Sequence, residues 1–331
     1  MSPTRAKAEF PPGVRATVQY GPSIVARALY LHDYQLLPYA RSAEAMRDLF
    51  GCALSAGTLS TAVGRCAAGL VETELKIKRG LRRSPVIHAD ETGLRVEGKL
   101  AYVHVASSER LTHYAADVRR GKAAIDEVAI LPAYRGTCVH DGWLSYTHYS
   151  NCRHALCGAH LLRELTYFAE VSERTKAWAA PLRGLLLEMK GEAEGVGTGG
   201  RLPAERVGEL TALYDRLVEE GLRAEPPPDV PELVRKQARS LLLRLERRRE
   251  EVLLFLSDPS VPFDNNLAER DLRMLKLQQK VSGCFRTDEG ARHFCRIRGY
   301  VSTMRKQGRG VLAALDRACR GKPLSVRKCN G

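Results

Sequence analysis

Apolar positions recur every three or four residues from Tyr20 to about Lys78, through "SIVARALYLHDYQLL", "SAEAMRDLF" and "SAGTLSTAVGRCAAGLVETELKIK". That spacing predicts amphipathic helices. Gly51 closes the second of them and Ser55 is placed to cap the next, so region 20–84 is expected to hold either a helix-turn-helix that reads DNA or a plain helical hairpin. Residues 1–19, with "EFPPGVRA", read as an irregular leader. After Pro85 the period falls to two. "PVIHADETGLRVEG", "LAYVHVASSE" and "RLTHYAADV" predict three antiparallel strands, "RRGKAAIDEVAILPAY" an amphipathic helix and "GTCVHDGWLSY" a further strand. Three strands, a helix and a strand make a mixed α/β core.

From "CGAHLLRELTYFAE" to "EEVLLFLS" the helical period returns, broken by "GEAEGVGTGGRLP" and "AEPPPDVP", whose Gly and Pro mark turns or links. "VPFDNNLAERDLRMLKLQQK" opens another helix, and "ARHFCRIRGYVSTMRKQGRGVLAALDRA" supplies the last ones.

The strand words raise a chemical question. Asp90 and Asp141 each end an apolar alternating run, and a carboxylate there is costly to bury without a cation. Neighbouring strands bring such ends together, and paired carboxylates hold hard divalent ions. A third acid is expected from a helix beside the sheet. Glu269 fits, because Asp264 to Asn266 are good N-caps and put it in the first helical turn. Arg273, Lys276 and Lys280 follow it at helical spacing on one face, while Ala268, Leu272 and Leu275 form an apolar stripe for docking on the sheet. Two strand aspartates, a helical glutamate and a basic stripe suit phosphodiester chemistry.

Composition agrees. The 331 residues, 44% hydrophobic, are enough for a sizeable core. Lys and Arg number 52 against 38 Asp and Glu, a net charge of +14, which favours a polyanionic partner. Residues 269–309 alone hold eleven basic and four acidic side chains, half of that surplus, and among them Arg298, Arg305 and Lys306 are expected to bind DNA together with Arg273, Lys276 and Lys280. No run is apolar enough for a membrane span and no signal-peptide core is evident, so a cytoplasmic, nucleoid-associated protein without a membrane partner is expected. Nine cysteines at irregular spacing fit reduced thiols.

"HADET", "HDGW", "CGAHLLREL", "NNLAERDLR" and "SGCFRTDEGARHFCRIRGYVSTMRKQG", taken in this order, resemble the transposases of the bacterial insertion-sequence family numbered sixty-six, over about Tyr20 to Leu315. The resemblance implies a DDE transposase with a ribonuclease H-like core, in which Asp90, Asp141 and Glu269 are the catalytic, metal-binding triad for cutting and joining DNA. It implies two Mg²⁺ (or Mn²⁺) ions per site, DNA as element ends and target, and a homo-oligomer. It also implies a helical insertion between the second and third acids. The expected division is 85–160 for the first part of the core, 161–260 for the insertion, 261–318 for completion of the core and 319–331 for a basic tail. Members of that family usually carry a further amino-terminal region with a zinc-binding cysteine cluster, so a truncated copy or an internal start is expected. The alternatives are a metal-dependent nuclease or domesticated relative that cuts without joining, and an inactive DNA-binding repressor.

"NCRHALCGAH" offers Cys152, His154, Cys157 and His160 as zinc-ligand types, but the spacing is short for a zinc ribbon. Zinc is not expected there; Cys157 and His160 are expected to pack at the start of the following helix in a structural role. Glu91 should point to the face opposite Asp90, and His88 should share Asp90's face. Trp143 and Tyr146 are expected in the core, with base stacking as the alternative. No P-loop or GxGxxG word indicates a nucleotide cofactor.

Overall fold

The computed structural model describes residues 19–197, 199–227 and 233–327. The leader up to residue 18, the end of the tail (328–331) and part of the Pro-rich link lie outside the described residues. Helix α1 (Pro22–Leu29) runs into a π-helical turn (Tyr30–Tyr34), followed by α2 (Tyr39–Phe50), α3 (Ala56–Gly69) and α4 (Val71–Arg82). Gly51 ends α2 in the left-handed region at φ 63°, and the Ser55 hydroxyl accepts the Thr58 amide to start α3. Both signals are those read from the sequence.

Strands β1 (Val86–Val96), β2 (Lys99–Ser107) and β3 (Thr112–Asp117) are consecutive and antiparallel. The β1–β2 turn is two residues, Glu97 and Gly98, both at positive φ, as a tight hairpin requires. Helix α5 (Lys122–Val128) then crosses to β4 (Thr137–His140), which pairs parallel with β1, and β5 (Arg153–Leu156) pairs parallel with β4. The result is one mixed five-stranded sheet in the order β3-β2-β1-β4-β5.

Helices α6 (Gly158–Val171), α7 (Glu173–Gly195), α8 (Ala204–Ala224), α9 (Leu233–Arg247) and α10 (Arg249–Ser257) follow, then α11 (Asn266–Ser282), α12 (Asp288–Lys306) and α13 (Val311–Cys319). The chain is thus mixed α/β.

Strand parity assigns the two faces of the sheet. Leu94 and Val96 on β1, with Ala101, Val103 and Val105 on β2, pack against Ala268, Leu272 and Leu275 of α11 and Phe294 of α12. Ile87, Ala89 and Ala106 pack on the other face against Ile77 and Leu81 of α4 and Ile125 of α5. The helices from α6 to α10 carry their own core around Trp178, Leu182, Tyr214 and Leu242. The amino-terminal helices share a core with α12 and α13, where Leu59, Ala62 and Ala67 meet Tyr300, Val301 and Leu315.

Three details differ from expectation. β1 fills most of the expected word "PVIHADETGLRVEG", but Asp90 lies within the strand and not at its end, because the β2 ladder holds β1 for six residues beyond Asp90, after β4 has ended. The expected "GTCVHDGWLSY" strand keeps only its first part; Leu144–His148 form a 3₁₀ turn, since Gly142, at φ 96°, turns the chain out of the sheet. "RHAL", inside the word weighed as a zinc ligand set, is strand β5.

Candidate functional site

Asp90 and Asp141 are brought together by register. Val86 pairs with Thr137 and His88 with Val139 in parallel, an offset of 51 residues, and 51 residues also separate Asp90 from Asp141. Each aspartate therefore stands two residues past the last paired position, where the β1–β4 ladder opens. Parity puts His88 and Asp90 on the face covered by α11. One oxygen of each carboxylate is held by nearby backbone: Glu91 N–H donates to Asp90 Oδ1 at 2.8 Å and Trp143 N–H to Asp141 Oδ1 at 2.8 Å.

Glu269 enters from the first turn of α11. The start of that helix is tied to β1 by Asn265, which is fully buried. Its side-chain amide donates to the Ala89 carbonyl at 3.0 Å, so its Oδ1 is left to accept from His88 Nδ1–H, also at 3.0 Å. Burial holds the His88 imidazole down to about 4, which keeps it neutral near pH 7, and the Asn265 oxygen fixes the proton on Nδ1. The Asn265 amide N–H donates to Cys157 Sγ at 3.2 Å, and Gly158 N–H donates to the Phe263 carbonyl at 2.8 Å. Asn265 stands at the N-cap position that the sequence offers. Its side chain caps nothing; it fastens the third acid to the strand of the first.

Electrostatics link the three acids. Asp90 is pushed up to about 7, chiefly by burial and further by the neighbouring carboxylates of Glu91, Asp141 and Glu269. Among the described residues no Lys or Arg forms an ion pair with Asp90 or Asp141. Lacking an internal cation, the acids are of the type that holds a divalent ion, but the oxygens of Asp90, Asp141 and Glu269 do not all come within 4.8 Å of one another; among the described residues, Glu269 does so with Cys157 and His160. The donors are oxygens, as Mg²⁺ prefers, and each aspartate uses one oxygen on backbone.

Glu91, as expected, points away from Asp90. Its side chain is 2% exposed and is fully employed, taking Arg120 Nη2–H at 2.8 Å and the Tyr146 hydroxyl at 2.7 Å. Tyr146 is core, whereas the Trp143 ring carries the Arg120 guanidinium 4.4 Å above its centroid. Arg248, which precedes α10, donates to the Gly142 carbonyl at 3.2 Å and braces the turn after Asp141.

The basic residues divide. Arg273, Lys276, Lys280 and Arg305 are exposed. Arg298 and Lys306, expected at a DNA surface, are turned inward, which corrects that reading. Arg298 is 4% exposed and donates to the Asp33 and Tyr34 carbonyls. Lys306 is held by Asp271 at 2.8 Å and by the Ser108 carbonyl at 3.0 Å. Both lie on the side of α12 that packs into the protein, a side that net charge alone does not reveal. Of the zinc-type word, His154 turns to His140 at 3.0 Å and Cys152 to the Tyr149 carbonyl at 3.3 Å, while Cys157 and His160 face Glu269.

A sequence model described as "Transposase IS66 family" matches residues 17–293. "Uncharacterized protein y4jO" of Sinorhizobium fredii (strain NBRC 101917 / NGR234) is 30% identical over 117 residues, which make up 31% of this chain and 36% of that relative. The chain thus spans about a third of the length of the curated relative it matches.

Proposed function

The chain belongs to the IS66 transposase family, and from that premise we propose that it is a DDE-type transposase that cleaves and joins DNA strands at the active site formed by Asp90, Asp141 and Glu269. The observation that carries the reading is the shared offset of 51, which sets the two aspartates side by side where β1 and β4 part. The sheet order β3-β2-β1-β4-β5, antiparallel then parallel, supports a ribonuclease H-like core. The separate core of α6 to α10 supports a helical insertion between the second and third acids.

In this reading Asp90, Asp141 and Glu269 hold two divalent ions, Mg²⁺ or Mn²⁺. Ions there supply a lowered pKa to bound water and charge stabilisation to the phosphoryl oxygens. The chain's own residues fix geometry. Asn265 and His88 hold the start of α11 against β1, the strand of Asp90, and Arg248 braces the turn at Gly142 that follows Asp141. Arg273, Lys276 and Lys280 continue from Glu269 along the exposed side of α11 and bind the DNA backbone, with Arg305 as a further contact. The α2–α3 pair is the proposed DNA-reading element, and the working form is a homo-oligomer on element ends and target.

A strand-joining assay tests the proposal. The protein is incubated in Mg²⁺ with labelled DNA ending in the termini that flank its gene and with an unlabelled plasmid target. Covalent transfer of label to the plasmid is expected. Nicking without transfer would favour a nuclease, and binding without either would favour a repressor.

A further inference from the structure

Cys157, His160 and Glu269 form a second donor set, partly separate from the aspartates. Cys157 and Glu269 are 112 residues apart in sequence, yet Sγ lies 4.0 Å from Glu269 Oε1. His160 Nδ1 lies 3.6 Å from the same oxygen, and the three donor atoms fall within 4.8 Å of one another. Tetrahedral zinc, with Zn–S near 2.3 Å and Zn–N and Zn–O near 2.0–2.2 Å, holds its donors roughly 3.4–3.6 Å apart. The Glu269 contacts lie within a few tenths of an ångström of that spacing. His160 Nδ1 is buried without a hydrogen-bond partner, and 3.6 Å is too long for a bond to the carboxylate it faces.

We propose that Cys157, His160 and Glu269 bind a borderline transition ion, Zn²⁺, with water in the fourth position, and that this ion withdraws Glu269 from the acid triad. A thiol and an imidazole suit Zn²⁺ and not Mg²⁺, so the two ion types compete for one carboxylate through different remaining ligands. The set is not the four-ligand word of the sequence, because Cys152 and His154 are committed elsewhere. Binding rests on the donor geometry alone; the inhibitory consequence rests on the transposase reading above.

The test uses Co²⁺ as the probe, titrated alone into the reduced, full-length protein. One equivalent is expected to give thiolate-to-cobalt charge transfer in the near ultraviolet and intense four-coordinate bands in the visible, both erased by Zn²⁺. Cys157→Ser removes the charge-transfer band. His160→Ala and Glu269→Gln weaken binding by at least ~10-fold, with far-ultraviolet circular dichroism as the folding control. Should Cys157→Ser fail to fold, His160→Ala decides. Bands unchanged in Cys157→Ser, or an affinity unchanged in His160→Ala or Glu269→Gln, overturn the site. With Mg²⁺-supported cleavage as a second readout, the half-inhibitory Zn²⁺ concentration should rise ~10-fold in His160→Ala. Equal inhibition overturns the shared carboxylate. Absence of cleavage with cobalt binding intact would remove the transposase reading and leave the metal site.

Discussion

Asp90 is the residue on which the site turns, and its cost to the metal-free protein is measurable. A carboxyl whose folded pKa lies near 7 rather than 3.8 gives stability that is fully present below the unfolded value and is lost as pH rises through about 7. Asp90→Asn should therefore stabilise the metal-free protein at pH 8 by up to roughly 4 kcal/mol, seen as a higher thermal midpoint, and leave it nearly unchanged at pH 4. Calorimetry at the two pH values checks this; a variant less stable than wild type at pH 8 would mean that the charge is already compensated. Mg²⁺ should stabilise the wild type and not the variant. Asn265 makes a complementary case. Asn265→Ala leaves His88 Nδ1 and the Ala89 carbonyl without their partner, so it should cost about 1–3 kcal/mol in denaturant unfolding. Activity should fall further than that loss implies, because Glu269 loses its tether. The Asp90 side chain was readable from the sequence as an acid at the end of an apolar run. The Asn265 bonds were not, since they join residues 176 and 177 positions apart and an Asn before a helix already has an ordinary explanation as a cap.

At the scale of elements, the alternation of β1 to β3 and the apolar stripe of α11 were legible because each has a covered face and a regular period. β4 and β5 were harder. They have four residues each and make parallel pairs with partners distant in sequence, so neither shows a full alternating pattern. Gly158, at the first turn of α6, shows how an element junction serves the site. A Cβ there would stand 2.2 Å from Phe263 Cζ, on the segment that leads into α11. Gly158→Ala should destabilise by about 1–3 kcal/mol, and adding Phe263→Ala should recover part of the loss, a non-additivity read from a double-mutant cycle. On α11 itself, changing Arg273, Lys276 and Lys280 together to Gln should weaken DNA binding for all sequences alike. The slope of log affinity against log salt should fall by roughly 1 for each side chain that contacts phosphate. An unchanged slope would move the DNA path off this helix.

Across the whole molecule, charge and fold tell parts of one story at different resolution. The surplus of +14 pointed to a polyanion, but its use depends on which side chains the packing leaves outside. Arg298 and Lys306 went inward to pair with Asp271 and backbone carbonyls, while the α11 stripe stayed exposed. Sequence order also hid that α3 shares a core with α12 and α13, so the amino-terminal helices are braced by the segment that follows the third acid. The proposed DNA-reading helices thus pack on the two helices that follow α11 in the chain. The most direct test of the central claim is metal-dependent cleavage of DNA carrying the flanking termini, comparing wild type with Asp90→Asn, Asp141→Asn and Glu269→Gln. Binding to the same DNA is measured alongside. Cleavage is expected only with Mg²⁺ or Mn²⁺ and is lost in each variant, with DNA affinity kept within a few-fold. A variant that still cleaves at the wild-type rate, or wild-type cleavage that survives chelation of all metal, would contradict that claim.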